Sequence, residues 1–212
     1  MTGPGAAEGA ADPPLTLVGD LVALGPGHKG ILPLLWKWEN DLELSVLTGD
    51  PVHPMSPEGI DQLYERYSKP GPGHASFVIY ERATMRPIGT IGLHGINHAH
   101  RIAELGAGIG EHDCWGKGYG TEATRLILEY AFNVLGLHNV MLRVFSYNER
   151  AIRTYLKVGF KEIGRRRQAQ RIGWQAYDVV YMDCIATEFT GSTLGRFLPP
   201  IPEAADSPDR TG

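Results

Sequence analysis

The order of apolar and polar positions along the chain predicts alternating strands and helices between residues 18 and 189. Short apolar runs bounded by Gly or Pro are typical of strands, whereas apolar residues spaced three and four apart are typical of helices. The predicted strands are 21–24, 76–81, 88–93, 101–109, 139–144, 160–164 and 177–185. The predicted helices are 28–40, whose continuation to residue 48 is left open, 56–67, a helix that starts within 115–121 and ends at Gly136, and 148–158.

The strand predicted at 101–109 has two different faces, because side chains alternate along a strand. One face is apolar and consists of Ala103, Leu105, Ala107 and Ile109. The other face carries Glu104, followed by Gly106 and Gly108. Since the glycines leave that face open, we expect Glu104 to have little bulk around it.

The helix that follows this strand is predicted to be amphipathic. Its buried stripe has the spacing of one helical face and consists of Ala123, Ile127, Tyr130, Ala131 and Val134. Together with the strand at 139–144, these elements form a βαβ unit, whose two strands are parallel. The fold class is therefore α/β, with a mixed, mostly antiparallel sheet that contains a central parallel βαβ unit and is flanked by helices.

The two ends of the chain are predicted to lie outside the folded domain. Residues 1–14 are mostly Gly, Ala and Pro, and residues 197–212 are Pro-rich and polar. Neither stretch can bury enough apolar surface to offset the entropy lost on ordering. We therefore expect disordered tails at 1–17 and 190–212 and a single domain at 18–189.

Composition and charge exclude several protein classes. The 212 residues carry a net charge of −4, with a pI near 6.1, so nothing indicates a nucleic-acid partner. The sequence has neither a secretory signal nor an apolar run of about 18 residues, so we expect no membrane partner. The two cysteines are too few for a disulfide framework. These features predict a cytoplasmic protein.

The most informative stretch is the glycine-rich turn at residues 115–121, in which glycines occupy positions 116, 118 and 120. Glycines before a helix allow its unpaired N–H groups to approach a phosphate closely. A nucleotide P-loop would need Ser or Thr after Lys117, where Gly118 stands instead, and the spacing is not that of a dinucleotide fingerprint. The pattern therefore favours an anion-binding turn, with a purely structural tight turn left open.

Several further segments add to this turn, and together they resemble the GNAT acetyltransferases, within them the branch similar to ribosomal-protein N-terminal acetyltransferases. The resemblance covers nearly the whole predicted domain. It is carried by residues 103–106, 109–110, 115–123, 137–138, 142–144, 148–151 and 155–160. One position departs from the superfamily, which often has Gln or Arg where this chain has Trp115, although this branch commonly carries an aromatic residue there.

The resemblance implies a GNAT fold and acetyl-CoA as the acyl donor, with CoA as a product. The pyrophosphate is expected on the backbone of residues 117–121 and the pantetheine beside residues 109–111, and further contacts are expected from the helix at 148–158. For Asn148, helix capping and cofactor contact are both left open, because Asn readily caps helices. The cofactor-binding residues implied in this way are Ile109, Gly110, Glu111, Trp115, Gly116, Lys117, Gly118, Tyr119, Gly120, Thr121, Asn148, Ala151 and Tyr155.

Acyl transfer to an amine needs a base, a donor to the oxyanion and an acid that protonates the thiolate. Glu104 matches a strand glutamate that some members of the family use as the base. Tyr155 matches the family tyrosine that lies near the CoA sulfur and acts as the acid. The backbone N–H near Ile109 is the expected oxyanion donor. The alternatives are a solvent-facing strand glutamate and a core tyrosine.

The acceptor is expected to be a primary amine of a small molecule or a peptide: a protein N-terminus, a polyamine, an amino sugar or an antibiotic. The substrate-binding candidates are Trp38, Asn40, Asp41 and His94. Two other functions stay open, namely a non-catalytic acyl-CoA-binding regulator and an acyltransferase with a different acyl-CoA. A homodimer is also left open.

Other polar clusters are interpreted without a chemical role. His94, His98 and His100 lack a nearby carboxylate or cysteine pattern, so we predict no metal site. The arginines at 165–167 are interpreted as a solvated strand end. Cys114 is interpreted as a small packed residue, because direct acyl transfer needs no covalent intermediate.

Overall fold

The computed structural model describes residues 14–49, 54–69 and 71–191. In this part of the chain, eight strands form one sheet and five α-helices flank it. The strands are β1 (Leu17–Val18), β2 (Val22–Gly25), β3 (His74–Glu81), β4 (Pro87–Asn97), β5 (Ile102–Ile109), β6 (Asn139–Phe145), β7 (Lys161–Ile172) and β8 (Gln175–Ile185). The helices are α1 (Leu32–Glu39), α2 (Leu42–Thr48), α3 (Ile60–Ser68), α4 (Tyr119–Glu129) and α5 (Glu149–Val158).

The sheet has the order β1-β2-β3-β4-β5-β6-β8-β7. Each neighbouring pair is antiparallel except β5 and β6, which are parallel and connected through α4. The predicted mixed sheet with a central βαβ unit is therefore confirmed. The parallel pair is short, because β5 and β6 are in register only from Ile102 to Glu104 on β5.

The two faces of the sheet are packed differently. On one face, the buried residues of β1 to β6 and of β8 form the larger core with α4 and α5. The predicted apolar positions Ala103 and Leu105 belong to this core. On the other face, Val78 and Tyr80 of β3 pack against residues of α1 and α3. Glu104 lies on this second face, where it is partly exposed. The sheet is thus covered by helices on one side and only in part on the other.

Helix α4 buries the predicted stripe except at its end. Ala123, Ile127 and Ala131 are fully buried, whereas Val134 is 53% exposed, so the prediction for Val134 was wrong. The reason is a π-helical turn at Tyr130–Val134, which adds a residue to the turn and rotates the following side chains.

The edges of the fold extend further than predicted. Strand β7 continues to Ile172 instead of ending at residue 164, so the arginines at 165–167 lie within a strand, with their side chains exposed. Leu17, which we assigned to the N-terminal tail, pairs with Leu24 and is 5% exposed. The remaining tail predictions fall mostly on residues 1–13 and 192–212, outside the described residues. Within the described chain, no helix is long and apolar enough to cross a membrane.

Candidate active site

The centre of the site is a gap between β5 and β6, which separate after Glu104 and Met141. The Gly110 N–H donates to the Ile88 carbonyl at 2.8 Å, so this residue faces β4. Because backbone groups alternate in direction along an antiparallel strand, the polar groups of Ile109 face the opposite side, toward the gap. The predicted oxyanion donor near Ile109 therefore points into the gap, as do the backbone groups of Ala107.

The glycine-rich turn follows β5 after a five-residue connection that contains a short 3-10 helix, His112–Cys114. Gly116 and Gly118 have φ values of 76° and 89°, in the left-handed region that favours glycine. Gly118 is also the N-cap of α4, and it has no side chain that could accept from the first-turn N–H groups. In contrast, α2 and α5 begin with the side-chain caps Asp41 and Asn148. The α4 N-terminus therefore presents backbone donors and a partial positive charge to a ligand at this turn.

The rest of the predicted turn is arranged around these donors. Lys117 is exposed and adds a positive charge. The Tyr119 hydroxyl donates to the Glu81 carboxylate at 2.6 Å, and this hydrogen bond raises the pKa of Tyr119. Gly120 lies near Ile109, since a Cβ built on it would be 3.8 Å from that side chain. Residues Gly120 and Thr121, in the first turn of α4, are partly buried.

Trp115 connects this turn to three other elements. Its indole N–H donates to the Ile109 carbonyl at 2.8 Å. The ring stacks on His112 with a centroid distance of 4.2 Å, and the Arg150 guanidinium lies 4.0 Å from the ring centroid. The Nε2 atom of His112 in turn lies 2.8 Å from the carboxylate Oδ2 of Asp41, the N-cap of α2. These contacts join the end of β5, the turn, α2 and α5.

Glu111 is held inside the fold, although we predicted it as a cofactor-binding residue. It accepts from the Lys37 ammonium at 2.8 Å and from the Trp38 indole at 2.9 Å. Burial disfavours its ionised form, but these hydrogen bonds outweigh burial and lower the pKa of Glu111. Its side chain therefore anchors α1 to the end of β5, and its contact with the cofactor stays a prediction.

Glu104 lies on the open face of β5. Its carboxylate accepts from the Arg143 guanidinium of β6 at 2.7 Å, and 35% of its side chain is exposed. His94 of β4 lies directly opposite Glu104 in the ladder, and its ring is close to Gly106, where a Cβ would lie 3.1 Å from Nε2. The predicted base and the predicted acceptor residue His94 are thus cross-strand neighbours.

Tyr155 lies on α5, and its ring packs edge-on against Phe160 at a centroid distance of 5.7 Å. Burial raises the pKa of Tyr155 to about 12, so its hydroxyl keeps its proton at neutral pH. Asn148 caps α5 by accepting from the Ala151 N–H, and it also donates to the Leu47 carbonyl. The capping interpretation of Asn148 is therefore correct, and cofactor contact stays a prediction.

Three predicted acceptor residues have structural contacts in this fold. Trp38 is only 8% exposed, and its ring lies against Gly110, where a Cβ would come within 2.4 Å of it. Asn40 uses its amide to cap α1 and to bind the backbone of Met55. Asp41 caps α2, and although burial disfavours its charge, hydrogen bonds from Leu44 and the nearby His112 lower its pKa. Their contact with an acceptor stays a prediction.

The histidines and the cysteine that we interpreted without a chemical role all lie in the described residues. Within them, no group of three His, Cys, Asp or Glu side chains is arranged to hold a metal ion. His98 lies 3.1 Å from the Pro72 carbonyl. Cys114 is buried beside Arg86, and burial raises the pKa of its thiol, as expected of a packed residue.

Two residues near the site were missed by the sequence analysis, namely Arg143 and Arg150. Arg143 follows Glu104 by 39 positions and becomes its neighbour only through the parallel pairing of β5 and β6. That pairing was predicted, so its register could have indicated Arg143. Arg150 reaches Trp115 through the packing of α5, for which the sequence gives no signal.

Comparison with known proteins places this geometry in a family. Residues 32–161 match the family described as acetyltransferase (GNAT) domain. The chain is 39% identical over 101 residues to the uncharacterized N-acetyltransferase YoaA of Bacillus subtilis. This match covers 47% of the chain and 56% of YoaA. It is 33% identical over 135 residues to spermidine N(1)-acetyltransferase of Vibrio cholerae, and this match covers 62% of the chain and 76% of that enzyme. The matches thus span between about half and three quarters of the length of these relatives.

A solved structure shows the same fold. It is a spermidine N-acetyltransferase from Vibrio cholerae in complex with CoA and spermine, to which the chain is 24% identical, with a TM-score of 0.72. The superposition covers 79% of this chain and 97% of that one. The likeness confirms the predicted architecture.

Proposed function

The chain belongs to the GNAT acetyltransferase family, and we propose that it transfers an acetyl group from acetyl-CoA directly to a primary amine within a ternary complex. The observation that carries the proposal is the gap between β5 and β6, which ends at the α4 N-terminus. Backbone donors and acceptors along such a gap suit an extended ligand with amide groups, such as pantetheine. The helix N-terminus behind Gly118 suits the pyrophosphate.

The residues around the gap can perform the three tasks of acyl transfer. Glu104, directly or through one water, accepts a proton from the attacking amine. The Ile109 N–H donates to the oxygen on which negative charge develops as the C–N bond forms. Tyr155 gives its proton to the sulfur as the C–S bond breaks. The partly exposed Glu104 and the still protonated Tyr155 support this assignment of base and acid.

The acceptor is proposed to approach from the open face of the sheet, which carries Glu104 and His94. Helices α1 and α3 cover this face in part, and Asp41 caps the neighbouring helix α2. Polyamines are the first acceptors to test, because three relatives are named spermidine N(1)-acetyltransferase. Peptide N-termini, amino sugars and aminoglycoside antibiotics complete the panel.

The test is the release of free thiol when the purified protein meets acetyl-CoA and each amine. We expect release that depends on both substrates, together with a product that is heavier by one acetyl group in mass spectrometry. Propionyl-CoA and succinyl-CoA test the alternative donors in the same assay. Tight binding of acetyl-CoA without thiol release from any amine would instead support the non-catalytic acyl-CoA-binding regulator.

A further inference from the structure

Arg150 occupies an unusual place at the rim of the glycine-rich turn. It lies in the first turn of α5 with an exposed side chain, and its guanidinium is 4.0 Å from the ring centroid of Trp115, the first residue of the turn. A cation in the first turn of a helix opposes the helix dipole, which favours anions there. A residue that breaks this local rule without gain to the helix points to a role outside it.

The contact with Trp115 fixes the guanidinium without using its hydrogen bonds. A guanidinium that stacks on an aromatic ring keeps its five N–H donors in its own plane, where they can bind a planar or tetrahedral anion. The ring itself is fixed by the hydrogen bond of its indole to Ile109 and by stacking on His112. Arg150 is therefore preorganised, which reduces the side-chain entropy lost when a ligand binds.

The carboxylates near Arg150 form ion pairs with other arginines, so they do not neutralise its charge. Glu149, its neighbour in the first turn of α5, pairs with Arg153 at 3.1 Å. Asp113, next to the turn, pairs with Arg86 at 2.7 Å. In the part of the chain that the structure describes, no carboxylate forms an ion pair with Arg150.

We propose that Arg150, held on the Trp115 ring, binds a phosphate group of the acyl-CoA. The inference rests on the proposed function, since it takes the glycine-rich turn as the site of the donor. Acyl-CoA offers two sources of the same chemistry, the pyrophosphate and the 3′-phosphate. Arg150 thus adds a side-chain contact to a turn that otherwise binds through its backbone and Lys117.

Binding of acetyl-CoA and of acetyl-dephospho-CoA, measured by calorimetry at several salt concentrations, tests the proposal. Arg150→Gln should weaken acetyl-CoA binding about 10- to 100-fold, the size of one lost charge-assisted hydrogen bond, and reduce the salt dependence. Arg171→Gln, at the tip of the β7–β8 hairpin, removes the same charge and should leave the affinity unchanged. Trp115→Leu should weaken binding more than Trp115→Phe, which keeps a ring under the guanidinium.

The two ligands separate the two phosphate sources. If Arg150 binds the 3′-phosphate, the wild type should lose affinity for the dephospho form, and Arg150→Gln should bind both ligands equally. If it binds the pyrophosphate, the substitution should weaken both ligands by the same factor. A folded Arg150→Gln protein that binds acetyl-CoA within twofold of the wild type would overturn the inference. A wild type that does not bind acetyl-CoA at all would overturn the proposed function itself.

Discussion

At the scale of single residues, the proposed base Glu104 and the proposed acid Tyr155 have contrasting surroundings. Tyr155 packs against Phe160, and burial raises the pKa of its hydroxyl. Glu104 lies on the open face of β5 and is oriented by Arg143. A proton donor in an apolar setting and a carboxylate in a wetter one are the arrangement that acid and base catalysis at neutral pH needs.

Tyr155→Phe tests the acid, because it keeps the ring and its packing and deletes only the hydroxyl. We expect kcat to fall about 100-fold, with little change in acetyl-CoA affinity. Since burial raises the pKa of Tyr155 to about 12, wild-type kcat should show no loss from ionisation of this group up to about pH 10. Steady-state kinetics and calorimetry check both points, and a kcat within threefold of the wild type would reduce Tyr155 to a packing residue.

Glu104→Gln tests the base, because it keeps the shape of the side chain and removes its ability to accept a proton. We expect kcat/KM to fall about 10- to 1,000-fold at pH 7 and to recover partly at higher pH, where more of the amine has lost its own proton. The pH profile of kcat/KM measures this rescue. Equal impairment at pH 7 and pH 9.5, in a protein of wild-type thermal stability, would indicate substrate positioning instead.

The sequence revealed residues whose role depends on local chemistry, and it missed those that depend on distant packing. Asn148 was recognisable as a cap, because its partner lies three positions away. The contacts of Glu111 were not predicted, because its partners Lys37 and Trp38 lie more than 70 positions earlier. A carboxylate that becomes buried through such contacts leaves no mark in the local pattern.

At the scale of elements, the turn and α4 form one unit whose geometry depends on glycine. Gly118 has a φ of 89°, which a β-branched residue rarely adopts, so Gly118→Val should distort the turn and displace its N–H groups. We expect acetyl-CoA affinity to fall at least tenfold, or about 1.4 kcal/mol. Calorimetry on the folded variant measures this loss, and unchanged affinity would move the pyrophosphate away from the turn.

Gly136 supplies a matched control for this substitution. It also has a positive φ, of 65°, and a Cβ built on it meets no atom within 4 Å. Gly136→Val therefore introduces comparable backbone strain in the loop between α4 and β6, away from the turn. We expect a loss of thermal stability with unchanged acetyl-CoA affinity.

Elements with a clear hydrophobic period were predicted well, and those without one were not. The spacing of apolar residues predicted α4. The π-helical turn that exposes Val134 could not be predicted, because no glycine and no change in the apolar spacing marks it in the sequence. The first eight residues of strand β7 are all exposed. Its sequence therefore does not show the alternation of apolar and polar residues by which a half-buried strand is predicted. It is an edge strand, held by its pairing with β8 rather than by burial.

At the scale of the whole molecule, the proposed function depends on how two halves of the sheet meet. The first five strands and the last three are in register across only three residue pairs, and the gap opens beyond them. The βαβ rule predicted the parallel contact, whereas the place of β8 between β6 and β7 depends on long-range pairing that local patterns do not specify. The helical layer α1–α3 is tied to this centre by Glu111, which binds Lys37 and Trp38.

Because of this connection, Glu111 should make the stability of the whole fold depend on pH. Its pKa is lowered in the folded protein, so its contribution is present above the unfolded value of about 4.3 and is lost as pH falls through the folded value. Glu111→Gln should therefore lower the free energy of unfolding by about 1–3 kcal/mol at pH 7 and by less near pH 3. The loss is no larger because Lys37 is half exposed, so that solvent screens its ion pair with Glu111. Glu65→Gln, in an exposed pair with Lys69, should change it by no more than about 0.5 kcal/mol. Denaturant unfolding at both pH values measures these differences, and a Glu111→Gln effect that is equally large at pH 3 would show that shape, rather than charge, connects the layers.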